Sequence, residues 1–399
     1  DGNNFVHVVS TNGSYGNGYI IQGSSLTFGD GYTNIALEKT GSGYYGFHLS
    51  GSTITAGNGG MDLSMKLTGG YVYQNNIING GSVTSGSGAD SIEINADVTD
   101  VYLNLFYFIW SANISMGAGS DRVLLRFNTN AKDASGQNKI FDENGNPLAS
   151  GFVGSTLDLG DGNNSIIIDS LTRGIVGSTV TASGGDNDIQ ISTRLAAFEG
   201  ATIRLGDGND AIRASGQEAY VATISGGSQI NTGGGADAIS IKSLSKSTIE
   251  TGTGNDTVSF DGYAATRVET AYISLSDGDD LVTFSTLDGT ANTTIGNFAG
   301  SGNTLESKID GGDGFDSVII KDSASNYSVT EDFTSTDANQ RGWLITQHST
   351  GGQLRLTKVE ALHFNDTTYN SPDAFNQSSS LQITGPGAGT IDGIPFSNT

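Results

Sequence analysis

Acidic side chains follow closely spaced glycines at six well-matched places in the 399-residue chain: LGDGNN at 159–164, LGDGND at 205–210, TGGGAD at 232–237, TGTGND at 251–256, LSDGDD at 275–280 and GGDGFD at 311–316. Weaker copies stand at 28–34 (FGDGYTN), 56–62 (AGNGGMD), 85–90 (SGSGAD), 116–121 (MGAGSD) and 182–187 (ASGGDN). The glycines permit positive φ and close approach of carbonyls, and the trailing acid offers a hard oxygen where apolar alternation resumes. If such loops stack one strand spacing apart, about 4.8 Å, their carboxylates repel one another. A hard divalent cation taking roughly six to eight oxygens resolves that repulsion and ties neighbouring loops together.

Calcium suits an irregular, carbonyl-rich cage better than magnesium, which demands tight octahedral geometry. Zinc would want His or Cys, yet the chain has no Cys, and its four His (His7, His48, His348, His363) are scattered. Charge agrees: about ten divalent ions, one between each pair of loops, would offset most of the formal −24.

The elements that must hold these loops are short alternating strands, TIRL and AIRA around Gly208, QINT and AISI around Gly235, TIET and TVSF around Gly254. Period two means one face of each strand is buried and the other wet. A rung then reads strand, Gly-rich turn, strand, polar return, and stacked rungs place Ile203, Ile230, Ile249 and Ile273 in an inward ladder. No single rung buries that ladder, so the stack is the core. Successive loop glycines lie 19 residues apart at the closest (Gly235 to Gly254) and 43 at the widest (Gly119 to Gly162), which makes the rung irregular. The fold expected is all-β: a right-handed parallel β-solenoid, β-roll or β-helix-like, of about a dozen rungs, roughly 50–60 Å long at strand spacing.

Residues 1–308 form the expected solenoid, with the polar stretch 131–150 projecting as an inserted loop. Residues 309–370 hold the last loop and then alternate through Tyr327, Val329, Trp343, Ile345, Leu354, Leu356, Val359, Leu362 and Phe364, which predicts antiparallel hairpins capping the open end. Residues 371–399, holding three of the four prolines, read as an extended arm or linker that could donate a strand to a neighbour. The aromatic run Tyr102, Phe106, Tyr107, Phe108 and Trp110 is expected to be buried, with an interface or glycan platform as the alternative.

Composition narrows function. Asp and Glu number 42 against 18 Lys and Arg, so the chain repels nucleic acid. Its longest apolar stretch, 101–110, falls short of the ~20 residues that span a bilayer, so no membrane insertion is expected. Without a signal-like opening, the chain reads as a mature product or a piece of a longer one.

The loops resemble the RTX repeats of bacterial secreted proteins, whose GGxGxDxUx nonapeptide binds calcium in a parallel β-roll. GGDGFDSVI at 311–319 fits in full; GDGNDAI at 206–212, GGGADAI at 233–239 and GTGNDTV at 252–258 fit the core. The segments KIDGGDGFDSVIIKDSASNYSVTED and LRLTKVEALHFND also resemble a pattern near the C-terminus of such proteins. The resemblance implies that Asp210, Asp237, Asp256, Asp280 and Asp316 ligate calcium, with Asp90 and Asp121 as equivalents and with Asp161, Asp186, Asp207, Asp277, Asp313 and the carbonyls of Gly235, Gly254 and Gly312 around them. Asn164 and Asn187 keep an oxygen but lose the charge and should bind weakly; the copies around Asp30 and Asp62 are shifted by one residue. The long return lacks the motif, so one calcium row along one edge is expected instead of two.

Acids at repeat-equivalent positions read as structural ligands, and the sequence nominates no one convergent cluster of His, Tyr and carboxylate off the repeat register, so no enzyme is expected; a single groove holding such a cluster would overturn that reading. The expected function is an extracellular, calcium-dependent structural protein of a bacterial cell surface that self-associates into a layer, matrix or filament. Alternatives are a calcium-stabilised adhesin binding a cell-surface glycan and, behind it, a polysaccharide lyase or epimerase.

Overall fold

The computed structural model describes residues 2–11, 19–41, 48–69, 71–72, 76–98, 100–101, 106–129, 149–216, 221–262, 267–286, 294–295, 307–332, 341–349, 351–371, 387–391 and 394–398. Among the described residues the chain winds into a parallel β-solenoid of three long sheets, with two further two-stranded pairings. The first and second sheets each hold 14 strands and the third holds 11. One rung shows the plan: Thr179–Thr181 in the second sheet, the Gly and acid loop, Asp188–Thr193 in the first sheet, Phe198–Glu199 in the third, then Thr202–Arg204 back in the second.

Alternating apolar residues form these strands because every second side chain faces the lumen. The predicted ladder is present: Ile203 lies opposite Ile230, Ile230 opposite Ile249 and Ile249 opposite Ile273, each at most 1% exposed. Full burial of each is worth about 1.5–3 kcal/mol. Phe260 and Phe284 stack from neighbouring rungs with centroids 4.8 Å apart.

The return segment differs from its sequence reading. It is a third strand, and Phe152, Ile175, Phe198, Ile224 and Leu244 run up its inner face. These strands span as few as two residues, too short to display a period of two. A left-handed residue and then a serine turn this strand into the second sheet, as in Gly154-Ser155-Thr156, Gly177-Ser178-Thr179 and Lys246-Ser247-Thr248.

At the C-terminal end Tyr327–Asp332, Gly342–Gln347 and Gln353–Thr357 pair antiparallel, and the last also pairs parallel with Ser307–Asp310. Trp343, Ile345, Leu354 and Leu356 are fully buried there, so the predicted cap is real. Of the presumed arm, Gly387–Ile391 and Ile394–Asn398 pair with each other as an antiparallel hairpin; LQIT at 381–384 lies outside the described residues. So does most of the 131–150 insertion, although Ala149 and Ser150 open the strand Ala149–Val153. Of the aromatic run, Phe106 and Phe108 are buried, Tyr107 is half-buried, Trp110 is 40% exposed, and Tyr102 is not among the described residues.

Candidate metal centre

The trailing acids of the loops form one buried row at the corner between the second and first sheets. Each loop enters from a strand such as Thr248–Glu250 and leaves into one such as Thr257–Gly262, so the acid sits just before the first residue of the first sheet. Parallel pairing in register then stacks the acids. The loop glycines allow this close stacking: Gly254 has φ +123, and a Cβ there would lie 1.9 Å from the Gly235 carbonyl oxygen.

Each acid accepts the backbone N–H of its counterpart one rung earlier. Oδ1 of Asp90 accepts from Met61 at 2.6 Å, Asp121 from Asp90 at 2.8 Å, and Asn164 from Asp121 at 3.0 Å. Asn187 continues the row from Asn164 at 3.3 Å and Asp210 from Asn187 at 2.8 Å. Asp237, Asp256 and Asp280 follow at 2.7, 2.8 and 2.7 Å. Asp316 accepts from Asp280 at 3.0 Å, and Oε2 of Glu360 from Asp316 at 2.8 Å. None of the row, Asp90 to Glu360, is more than 2% exposed.

The second oxygen has no such role. Oδ2 of Asp90, Asp121, Asp210, Asp237, Asp256, Asp280 and Asp316 is buried without a hydrogen-bond partner. Burial of a carboxylate without compensation disfavours its charge. It pushes Asp121, Asp210 and Asp280 up to about 7, and Asp316, also facing the Asp280 and Glu360 charges, to about 8. Asp90, Asp237 and Asp256 are raised too, and there the hydroxyl of the first loop residue, Ser85, Thr232 or Thr251, works against the burial. The other four have Met116, Leu205, Leu275 or Gly311 at that position.

What surrounds Oδ2 is read from the two asparagine rungs. The Asn164 Nδ2 donates to the Gly162 carbonyl at 2.8 Å and to Oδ1 of Asn187 at 2.9 Å. The Asn187 Nδ2 donates to the carbonyls of Gly185 at 2.8 Å and Leu205 at 3.4 Å, and to Oδ1 of Asp210 at 2.9 Å. By register, the same three positions around Asp210 are the carbonyls of Gly208 and Thr232 and the Oδ1 of Asp237. By register three oxygens neighbour Oδ2, oxygen-only donors of the kind a hard cation takes, and fewer than the roughly six to eight of a full calcium shell.

Several expected ligands sit elsewhere. Asp161, Asp207, Asp277 and Asp313, the leading acids, are exposed on the outer side of the loops, and Asp277 and Asp313 stand directly in register. Asp186 is also exposed; it belongs to a row of loop tips, with its N–H bonded to Asn163 and its Oδ1 to the N–H of Asn209. Among the described residues no three His, Cys, Asp or Glu side chains converge on one point, so the leading acids do not join the buried row in a shared cage. Asn164 and Asn187 are corrected as ligands: the preceding N–H takes their oxygen, and they present N–H where an Asp presents oxygen. Gly235 and Gly254 occupy the position of Gly162, whereas the register equivalent in the last loop is Gly314 and not Gly312.

At the other end Met61, fully buried, takes the place of the acid, while Asp62 faces outward and accepts the Tyr32 phenol. Glu360 was missed because no glycine loop precedes it; the signal available was its place directly before the apolar alternation of Ala361–Phe364. An open depression of about 440 Å³ on the first sheet is lined by Arg213, Ser215, Lys242 and Asp261, with neither His nor Tyr. Arg213 is held by Asp188 at 2.7 Å and Lys242 by the Gly216 carbonyl at 3.2 Å. Among the described residues no helix is long and apolar enough to cross a membrane.

No family model, no curated protein and no solved structure matches this chain.

Proposed function

We propose that the chain is a calcium-dependent structural protein of the bacterial exterior, akin to the RTX repeats it resembles, whose rods associate with one another in a surface layer, matrix or filament. The observation that carries the metal part is the row of seven buried carboxylate oxygens without a hydrogen-bond partner. Calcium at each would take Oδ2, the loop-glycine carbonyl and the neighbouring rung's oxygens, and would replace mutual repulsion with cross-rung attraction. Export from calcium-poor cytosol into millimolar calcium would then couple folding to arrival outside the cell.

For association, the strand Asn4–Thr11 carries Phe5 at 72% and Val9 at 51% exposed on one face, apolar surface of the kind that meets a partner. The adhesin alternative has less support, because Phe106 and Phe108 are packed inside; of the described residues of the run, Tyr107 is half-buried and Trp110 exposed.

The test is calorimetric calcium titration with circular dichroism, alongside light scattering and electron microscopy with and without EGTA. Expected are several bound ions per chain, loss of β signal on chelation and calcium-dependent polymers. An unchanged spectrum with no calcium heat overturns the metal reading; a monodisperse monomer at millimolar calcium overturns the assembly reading.

A further inference from the structure

The solenoid contains two corners at which a side-chain oxygen accepts an N–H from the rung before, and they solve the remaining valence differently. At the serine corner, Ser155 accepts the Ala112 N–H at 3.2 Å, Ser178 the Ser155 N–H at 3.0 Å and Ser247 the Ser228 N–H at 3.1 Å. Each hydroxyl then gives its own proton to the carbonyl two residues back, Val153 at 3.1 Å, Val176 at 2.9 Å and Ser245 at 2.9 Å. The corner is complete without any ion.

The acid corner has the same layout. Its side-chain oxygen accepts the N–H, and the carbonyl two residues back, Gly162 behind Asn164 and Gly185 behind Asn187, awaits a donor. The asparagines supply one through Nδ2, at 2.8 Å in both cases, and also bridge forward to the next rung at 2.9 Å. An ionised aspartate has no proton to give there, and its Oδ2 is buried and unpartnered. The asparagine amide thus occupies the position and makes the contacts that a cation would make on an aspartate rung.

We propose that Asn164 and Asn187 are built-in cation substitutes, so that the solenoid has a metal-independent centre flanked by two calcium-dependent blocks. This rests on the calcium reading above. The first block contains Asp90 and Asp121; the second runs from Asp210 through Asp237, Asp256 and Asp280 to Asp316, closed by Glu360. The central rungs hold the rod together when calcium is withdrawn, and the flanking loops order from them when it returns.

The experiment is hydrogen exchange by mass spectrometry on the whole chain, in calcium and in EGTA, with bound metal counted by elemental analysis. In EGTA, peptides within 156–193 should keep their protection while those within 91–127 and 238–284 exchange at least about tenfold faster. Asn164→Asp with Asn187→Asp should raise bound calcium by up to two ions and remove the central protection in EGTA. Asp237→Asn with Asp256→Asn should do the reverse, lowering the count while keeping those loops protected without calcium. Uniform loss of protection in the wild-type chain on chelation, or an asparagine-to-aspartate variant with unchanged metal count and protection, overturns the proposal alone. A wild-type chain that retains no calcium, with the same exchange in both buffers, overturns the calcium reading and this proposal with it.

Discussion

The stability of the metal-free chain should fall as pH rises, opposite to the behaviour of salt-bridged carboxylates. Asp121, Asp210 and Asp280 hold their protons to about 7 and Asp316 to about 8, against an ordinary 3.8. A carboxyl raised in the fold favours the folded state fully below its unfolded value, and that favour is lost as pH climbs through the folded value. For Asp210 the difference is worth about 4 kcal/mol, at ~1.4 kcal/mol per pH unit. Whole domains are stable by only about 5–15 kcal/mol, so two such groups ionised together would suffice to open the local rungs. The assay is thermal unfolding by circular dichroism in EGTA from about pH 5 to about pH 9, repeated in millimolar calcium. In EGTA the midpoint should drop most steeply between about pH 5 and about pH 7 and level off above about pH 8, where both states are ionised; in calcium it should stay nearly flat, because the cation takes the place of the proton. An EGTA midpoint that is level or rising across that window would refute the claim that these carboxyls are shut away from compensating charge.

Two further outcomes follow from the loop and the cap. Gly254→Ala should destabilise by ~3 kcal/mol or more in urea titrations, since its Cβ would lie 1.9 Å from the Gly235 oxygen; Gly177→Ala, with φ +52 and nothing within 4 Å, should cost only about 1 kcal/mol of backbone strain. Equal losses would show that rung spacing is not set at the acid corner. Glu360→Ala should cost about 1–3 kcal/mol by leaving the buried Asp316 N–H unsatisfied and should speed exchange of that amide, whereas Glu360→Gln, which keeps an acceptor, should not.

The parallel stack, the isoleucine ladder and the cap were legible in the sequence, because alternation and repetition report directly on which face is buried. That Asp210 and its equivalents matter as a row was legible for the same reason. What Asp210 does with each oxygen was not: a GGxGxD spelling records that an acid follows two glycines, but not that the N–H of the preceding rung claims one carboxylate oxygen. That allocation is a contact between residues 19 to 43 apart, and it also made Asn164 look like a weakened ligand when its amide faces the carbonyls. Asp161 and Asp207 share the spelling of their loops with Asn164 and Asp210 yet point to solvent, because alternate loop residues face opposite ways. The third sheet escaped notice since strands such as Phe198–Glu199 are shorter than one alternation. Its turns carried the readable signal, the Gly-Ser-Thr triplets at 154–156 and 177–179.

Uneven rung length and an even acid row coexist because the variation falls outside the acid loop: before the third-sheet strand in one rung and also after it, between Thr294–Ile295 and Ser307–Asp310, in another. Asp237 and Asp256 are 19 residues apart and Asp121 and Asn164 are 43 apart, yet their ladder bonds are 2.8 and 3.0 Å. The additional residues of that rung, 130–148, lie in sequence between Arg122–Thr129 and Ala149–Val153 and so outside the acid loop. Successive acids therefore stay one strand spacing apart whatever the rung contains, and within a block neighbouring sites feel each other's charge fully. Asp121 and Asp210 are separated by three such spacings, roughly 14 Å, so their direct Coulomb interaction is about a third of that between neighbours. Two uncharged asparagines thus leave the hydrogen-bonded ladder continuous while weakening the charge coupling between the two blocks.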